Sequence, residues 1–241
     1  MDEARIAELL QPFLTWPLSD RQLESISMYI DILLKWNQKT NLTAVRRPEE
    51  IVTRHFGESL FTAQRILPHV GAGAHTRPAE QSSATQTMVS GSTPDEAQAA
   101  NAVLVVVDVG SGAGFPGFPI KIWAPEVRLC LIESNYKKAT FLKEIVRALG
   151  LEDVEVFTGR AENFPAASAD IVTLRAVEHF QDILPVAARL VKPEGRLALL
   201  IGNSQTEVAR AALGDLQWQA PVSVPVSHNR VVLVGKIQAQ T

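Results

Sequence analysis

Residues 103–117 read V-L-V-V-V-D-V-G-S-G-A-G-F-P-G, and no other stretch narrows the folds open to this chain as far. The five apolar residues at 103–107, four of them valine, suit a short strand buried on both faces of a parallel sheet. Asp108 closes the run, and Gly110, Gly112, Gly114 and Gly117 follow. Glycines at that density let the backbone turn sharply and bring bare N–H groups close to a ligand. A glycine-rich turn alone says little, because any tight strand-to-helix connection can use glycine. Here a second apolar run, 127–132, ends on a second acidic residue, Glu133. That separation, about twenty residues, is what a nucleotide-binding βαβ unit uses to set a carboxylate on ribose hydroxyls. The stretch reads as a nucleotide site in an α/β fold.

With 241 residues there is room for one large α/β domain with a substantial core. A net charge of −3 argues against a general nucleic-acid coat and leaves room for a local basic patch. The single cysteine, Cys130, lies inside an apolar run and has no partner for an internal disulfide. It reads as a buried thiol in a reducing compartment. The start, M-D-E-A, lacks an apolar signal core, and no apolar run reaches transmembrane length. The expectation is a cytoplasmic monomer with no membrane partner.

The first third reads helical. Ile6, Leu9, Leu10 and Phe13 share a helix face that Pro12 and Pro17 bring to an end. Ser19 opens S-D-R-Q, a capping-box pattern, before Leu23, Ile26, Ile30, Leu33 and Leu34 at helical spacing. N-Q-K-T-N-L-T at 37–43 is a turn. Pro48 suits a helix first turn, and Ile51, Phe56, Leu60, Ala63 and Leu67 continue that helix. Arg46, Arg47, Arg54 and His55 flank it and read, on pattern alone, as a solvated charged face. Residues 71–100 differ in kind, with almost no large apolar side chains and much Ser, Thr, Ala, Gly and Gln. Such a segment buries too little surface to offset its ordering entropy, and it is expected to be a flexible insertion.

After Gly117 strand and helix alternate. Ile120 and Trp123 belong to a short helix. Ser134 or Asn135 caps a helix carrying Ala139, Leu142, Ile145 or Val146, and Leu149, with Gly150 as its stop. Lys137, Lys138, Lys143 and Arg147 give that helix a basic stripe. Strands are expected at 154–157 and 169–174, a helix at 181–190, and a fifth strand at 196–201 after K-P-E-G. The alternating runs 222–226 and 231–237, joined by S-H-N-R, suit an antiparallel hairpin on an otherwise parallel sheet.

D-V-G-S-G-A-G-F-P-G, then L-I-E-S-N-Y-K-K-A-T-F-L, then G-R-A-E and L-R-A-V, together resemble the bacterial RsmG (GidB) methyltransferases. W-N-Q-K-T-N-L-T-A-V-R and R-H-F-G-E-S-L near the start resemble the same family, so the likeness covers nearly the whole chain. The long 71–100 segment is a departure, since the family usually has a short connection there. The resemblance implies a class I (Rossmann-like) methyltransferase fold. Its sheet would be seven-stranded and mostly parallel, with an N-terminal helical extension over 1–70 and a catalytic domain over 101–241. It implies methyl transfer from S-adenosylmethionine to N7 of a guanine in 16S ribosomal RNA of the small subunit.

The same resemblance implies that Asp108, Gly110, Gly112, Phe115, the Ala161–Glu162 pair and Arg175 contact the cofactor. Glu133 would take the ribose hydroxyls. Arg160 and Arg175 would position the base, with Lys137 and Arg160 on the RNA. Guanine N7 carries a lone pair and no proton, so no general base is expected. Arg46, Arg47, Arg54, Lys138, Lys143 and Arg147 extend an RNA surface or form a solvated face. The five histidines lack metal-ligand spacing, so no metal is expected. Three rivals share parts of the pattern. An NAD-dependent dehydrogenase would use G-x-G-x-x-G, whereas Gly110, Gly112 and Gly114 alternate, and it would bring a substrate domain with its own catalytic His or Lys. A non-catalytic RNA-binding scaffold has no need of the intact loop. A small-molecule methyltransferase is disfavoured by the basic residues about the expected mouth.

Overall fold

The computed structural model describes residues 1–67, 103–177 and 179–238, so the 71–100 insertion lies outside the described residues. The chain begins with α1 (Glu3–Leu10), a 3-10 turn (Gln11–Phe13), α2 (Asp20–Asn37) and α3 (Pro48–Ile51). A π turn (Val52–Gly57) then runs directly into α4 (Glu58–Ile66). The remainder alternates: β1 (Val105–Val109), α5 (Gly117–Trp123), β2 (Arg128–Glu133), α6 (Tyr136–Ala148), β3 (Val154–Thr158), β4 (Ala169–Arg175), α7 (Phe180–Leu190), β5 (Val191–Gly202). It closes with α8 (Thr206–Ala212), β6 (Gln217–Trp218), β7 (Val222–Ser223) and β8 (Arg230–Lys236).

Local chemistry explains the helix starts. Ser19 and Gln22 form the expected capping box at α2: the Gln22 N–H donates to Ser19 Oγ and the Ser19 N–H to Gln22 Oε1 at 2.9 Å. Of the two candidates for the α6 cap, Asn135 fills the role, its Oδ1 accepting from the N–H groups of Lys137 and Lys138. The turn at 37–43 is tied by one buried side chain. Asn37 Nδ2 donates to the Thr43 carbonyl, and its Oδ1 accepts from the N–H groups of Leu42 and Thr43.

The sheet order is β3-β2-β1-β4-β5-β8-β6, parallel through β5, with β8 antiparallel to β5. Eight strands occupy seven positions, because β6 and β7 share the outer edge of β8 at different registers. The expected hairpin is present but shorter on its first arm, where Val226 adopts φ +59°. β1 starts two residues later than its valine run suggests. Val103 and Leu104 remain exposed, and pairing begins at Val105 against Arg128. Pairing runs on through Val109, so Asp108 lies inside the strand and not at its end. β5 starts earlier than expected, with K-P-E-G bulged out between the Ala169–Val191 and Ile171–Arg196 pairings.

Alternate residues of each strand face two cores. Val106, Leu129, Leu131 and Ile171 pack with α1, α2, α4, α5 and α6, through Ile6, Tyr29, Leu60, Phe118 and Phe141. Val107, Cys130, Ile132 and Val172 pack under α7 and α8 with Leu184, Ala187 and Ala209. The N-terminal helices thus complete the same core as one face of the sheet. Cys130 is buried as expected, and burial pushes its thiol up to about 12, which leaves it inert at neutral pH. The basic side chains of α6 do not make one stripe. Lys143 and Arg147 share an exposed line, one turn apart, while Lys138 turns toward the sheet ends.

Candidate active site

One large cavity, about 1260 Å³, opens at the carboxyl ends of β1, β2, β3 and β4. That end of an open α/β sheet is where ligands bind, at the switch in strand order beside β1. The glycine turn after β1 forms its floor. Gly112 and Gly114 sit at φ +56° and +84°, where a side chain is strained. Their surroundings differ. A Cβ at Gly114 would overlap Phe118 and the Tyr29 hydroxyl, so this glycine is required for packing. A Cβ at Gly112 meets nothing nearer than 3.8 Å and would project into the cavity. At Gly110 a Cβ would come within 2.9 Å of Val177 Cγ1.

The glycine N–H groups are not bare. Gly110 and Ser111 both donate to the Ile132 carbonyl at 2.9 and 3.1 Å, and Gly112 donates to Glu133 Oε2 at 2.9 Å. The end of β2 has taken the donors that the spacing pattern offers to a ligand. Glu133 Oε1 accepts in turn from the Asn135 N–H at 2.7 Å. Its carboxylate is pinned on the cavity wall with a lone pair on each oxygen still available.

Asp108, expected to contact the cofactor, does not line the cavity. It is fully buried beneath the turn, where Oδ1 accepts from Thr173 Oγ1 at 2.8 Å and Oδ2 from the Gly117 N–H at 3.3 Å. Burial raises its carboxyl to about 6, with those two bonds opposing the rise. It braces the loop from below. Phe115 does line the cavity, stacked on His55 with ring centroids 4.8 Å apart and on Tyr29 at 5.4 Å.

Arg160, Ala161 and Glu162 line the β3 side of the cavity. Arg160 is exposed and donates to Glu162 Oε1 at 3.0 Å. Ala161 is buried in a 3-10 turn whose carbonyls accept from Arg189 Nη2, a clamp the sequence did not signal. Lys137 is exposed and off the cavity lining, whereas Lys138 lies on it.

Arg175, the last residue of β4, is the most heavily supported side chain of the site. Its Nη2 donates to Glu58 Oε2 at 3.0 Å and to the Arg54 carbonyl, and meets His55 Nδ1 at 3.1 Å. The ion pair is buried on both sides. Burial brings the Arg175 guanidinium down to about 10 and raises the Glu58 carboxyl, while each partner opposes the shift of the other. His55 is not part of a solvated face. Burial, with Arg175 and Arg54 nearby, lowers it to about 3, so the ring is neutral at pH 7. Because Nδ1 accepts from Arg175, the ring proton sits on Nε2 and donates to Thr43 Oγ1 at 2.7 Å. Thr43, Arg54, His55, Glu58 and Arg230 all line the cavity, and the sequence reading gave none of them a part in the cofactor or base site. The one available signal was that N-L-T and R-H-F-G-E-S belong to the same family pattern as the loop.

A doubly wound parallel sheet, a glycine turn after β1 and a carboxylate at the end of β2 define a Rossmann-like protein that binds a nucleoside-containing cofactor. A family model described as rRNA small subunit methyltransferase G matches residues 22–74 and 89–231. The match passes over 75–88, within the segment read as an insertion. A protein of Roseiflexus castenholzii called ribosomal RNA small subunit methyltransferase G is 34% identical, over 94% of this chain and 89% of its own length. One of the same name from Chromobacterium violaceum is 32% identical over 91% of both chains. Another from Neisseria meningitidis serogroup A is 33% identical over 80% of this chain and 77% of its own. The chain belongs to the rRNA small subunit methyltransferase G family. It is an S-adenosylmethionine-dependent methyltransferase.

The residues present fit that cofactor. The open face at Gly112 leaves room for it, and Glu133 offers acceptors to a diol. The absence of free N–H groups at Gly110, Ser111 and Gly112 suits it too, since S-adenosylmethionine carries no phosphate to cradle. Among the described residues no cluster could hold a metal ion, and no helix is long and apolar enough to cross a membrane.

Proposed function

We propose that this protein transfers the methyl group to N7 of a guanine in 16S ribosomal RNA of the small subunit. One observation carries the site assignment: Glu133 ends β2 and Arg175 ends β4, on opposite sides of β1, with one cavity spanning both. At about 1260 Å³ that cavity exceeds the ~300–1,000 Å³ usual for one small ligand, which leaves space for a base beside the cofactor. The cofactor supplies an electrophilic methyl on a sulfonium that leaves as a neutral thioether. Everything else is positioning.

On this reading Glu133 holds the ribose at the β2 side, Gly112 leaves the floor open, and the Ala161–Glu162 turn borders the purine. Gly110, Phe115 and Val177 shape the wall near β1. Arg175 meets the target base at the β4 side. No side chain need take a proton, because the attacking nitrogen has none, and His55 has its Nδ1 lone pair occupied by Arg175. Arg54, Lys138, Arg160 and Arg230 put cations on the cavity wall, with Lys137 exposed just outside it, as a phosphate backbone requires. Local basic residues thus serve RNA in a chain whose net charge is −3. Work as a monomer in the cytoplasm belongs to the same reading.

Incubating the protein with methyl-labelled S-adenosylmethionine and unmethylated small-subunit RNA tests it. Label in the RNA, dependent on Arg175, supports the reading. Label in protein or small molecules alone overturns it.

A further inference from the structure

A guanidinium has five N–H groups, and Arg175 commits one corner of its own. Nη2 faces three acceptors, the Arg54 carbonyl, His55 Nδ1 and Glu58 Oε2. Nε and Nη1 make no hydrogen bond among the described residues, and Nη1 is shielded from solvent as well. Buried polar groups are nearly always paired, so a cationic donor left unpaired in a side chain that lines the cavity marks a place where an acceptor arrives. All three holding groups come from residues 54–58, where the π turn joins α4. Extra-wide helical turns of this kind recur at functional sites because they re-aim side chains and carbonyls.

We propose that Glu58 is a positioning residue for the target base, acting through Arg175, whose unspent N–H groups meet the O6 carbonyl of the guanine. This rests on the reading of the site given above. Two features favour a neutral carbonyl over a carboxylate of the cofactor. Glu58, 3.0 Å away, already balances the guanidinium charge, so the remaining N–H groups act as directed donors with little net field. A compensated arginine also avoids repelling a sulfonium in the same cavity. The second feature is placement. Arg175 ends β4, across β1 from the Glu133 carboxylate that suits the ribose, and so lies toward the reacting end. O6 remains free as an acceptor while N7 attacks, and the two share one edge of the base. His55, with its Nδ1 turned to Arg175, completes the hold.

The test uses the full chain as wild type, Glu58→Gln and Glu58→Asp. The RNAs are unmethylated small-subunit RNA and the same RNA with 2-aminopurine at the target position, which keeps N7 and lacks O6. Glu58→Gln is expected to lower kcat about tenfold or more, with KM for RNA and affinity for S-adenosylhomocysteine nearly unchanged. Glu58→Asp, which restores the charge, recovers much of the loss. Wild type loses a similar factor on the 2-aminopurine RNA, and Glu58→Gln loses little further on it, because the same contact is already gone. Equal wild-type turnover on the two RNAs overturns the proposal, and that comparison stands even if Glu58→Gln fails to fold. A fall in S-adenosylhomocysteine affinity that matches the fall in kcat also overturns it, since Arg175 would then serve the cofactor. Wild-type failure to methylate any small-subunit RNA refutes the parent reading instead.

Discussion

Tyr29, in the middle of α2, lies parallel to Phe115 of the glycine turn, with ring centroids 5.4 Å apart and planes 3° from each other. Its hydroxyl donates to the Ala113 carbonyl, and its ring meets Phe56, Phe118 and Phe141. A helix more than eighty residues upstream therefore holds the cofactor loop from behind. The N-terminal helices belong to the site as much as to the core.

Removing that hydroxyl leaves the ring packing in place and a buried carbonyl without its donor. Tyr29→Phe is expected to destabilise the fold by about 1–3 kcal/mol and to weaken S-adenosylhomocysteine binding several-fold. Urea denaturation with calorimetry checks both. Unchanged stability with unchanged affinity would show that the bond braces nothing.

Two of the three positive-φ glycines of the turn, Gly112 and Gly114, separate binding from folding. Gly112→Val places a side chain in the cavity and should weaken S-adenosylhomocysteine by tenfold or more, about 1.4 kcal/mol at least, in a folded protein. Gly114→Ala would drive a methyl into Phe118 and Tyr29, so it should lower the melting temperature strongly. Thermal melts and calorimetry on the pair decide, and the reverse pattern would contradict the loop geometry.

Much of this loop could be read from sequence, yet not its electrostatics. Hydrophobic runs ending in Asp108 and Glu133 located β1 and β2, because parallel strands buried on both faces need continuous apolar stretches. Glycine spacing located the turn. What the pattern left open was who would take the N–H groups, since the Ile132 carbonyl and Glu133 side chain approach only once β2 pairs with β1. The place of Asp108 is hidden for a related reason: strand limits follow pairing register, and β1 runs on through Val109, paired with Ile132 and Leu174, so Asp108 stays inside it. The Arg175–Glu58 pair spans 117 residues and joins a helix to a strand end, a contact no local periodicity encodes.

Asp108 gives a pH signature. Burial lifts its carboxyl from the usual 3.8 to about 6, so between those values the native state holds a proton that the unfolded chain has lost. Ionising it therefore costs stability as pH rises from about 4 to 6, about 3 kcal/mol in all. Asp108→Asn can keep both bonds, because the Thr173 hydroxyl donates or accepts. Its urea midpoint should gain on wild type across that interval and hold the gain above pH 7. Parallel midpoint curves would contradict the burial argument.

Arg160 is expected to behave as a rim contact. It is exposed and paired with Glu162, so Arg160→Ala should leave stability nearly unchanged. RNA binding should weaken, and the slope of log affinity against log salt should fall by about 1. A salt titration of wild type and variant measures it. Unaltered RNA affinity would remove Arg160 from the RNA surface.

The atom that receives the methyl group decides the matter. Small-subunit RNA lacking modification is incubated with the protein and S-adenosylmethionine, digested to nucleosides and separated by chromatography with mass detection. The site described here yields 7-methylguanosine approaching one per RNA, and at limiting S-adenosylmethionine the yield falls sharply when Gly112 is changed to Val. Methyl groups on a ribose, an exocyclic amine or another base, or none at all, would contradict it.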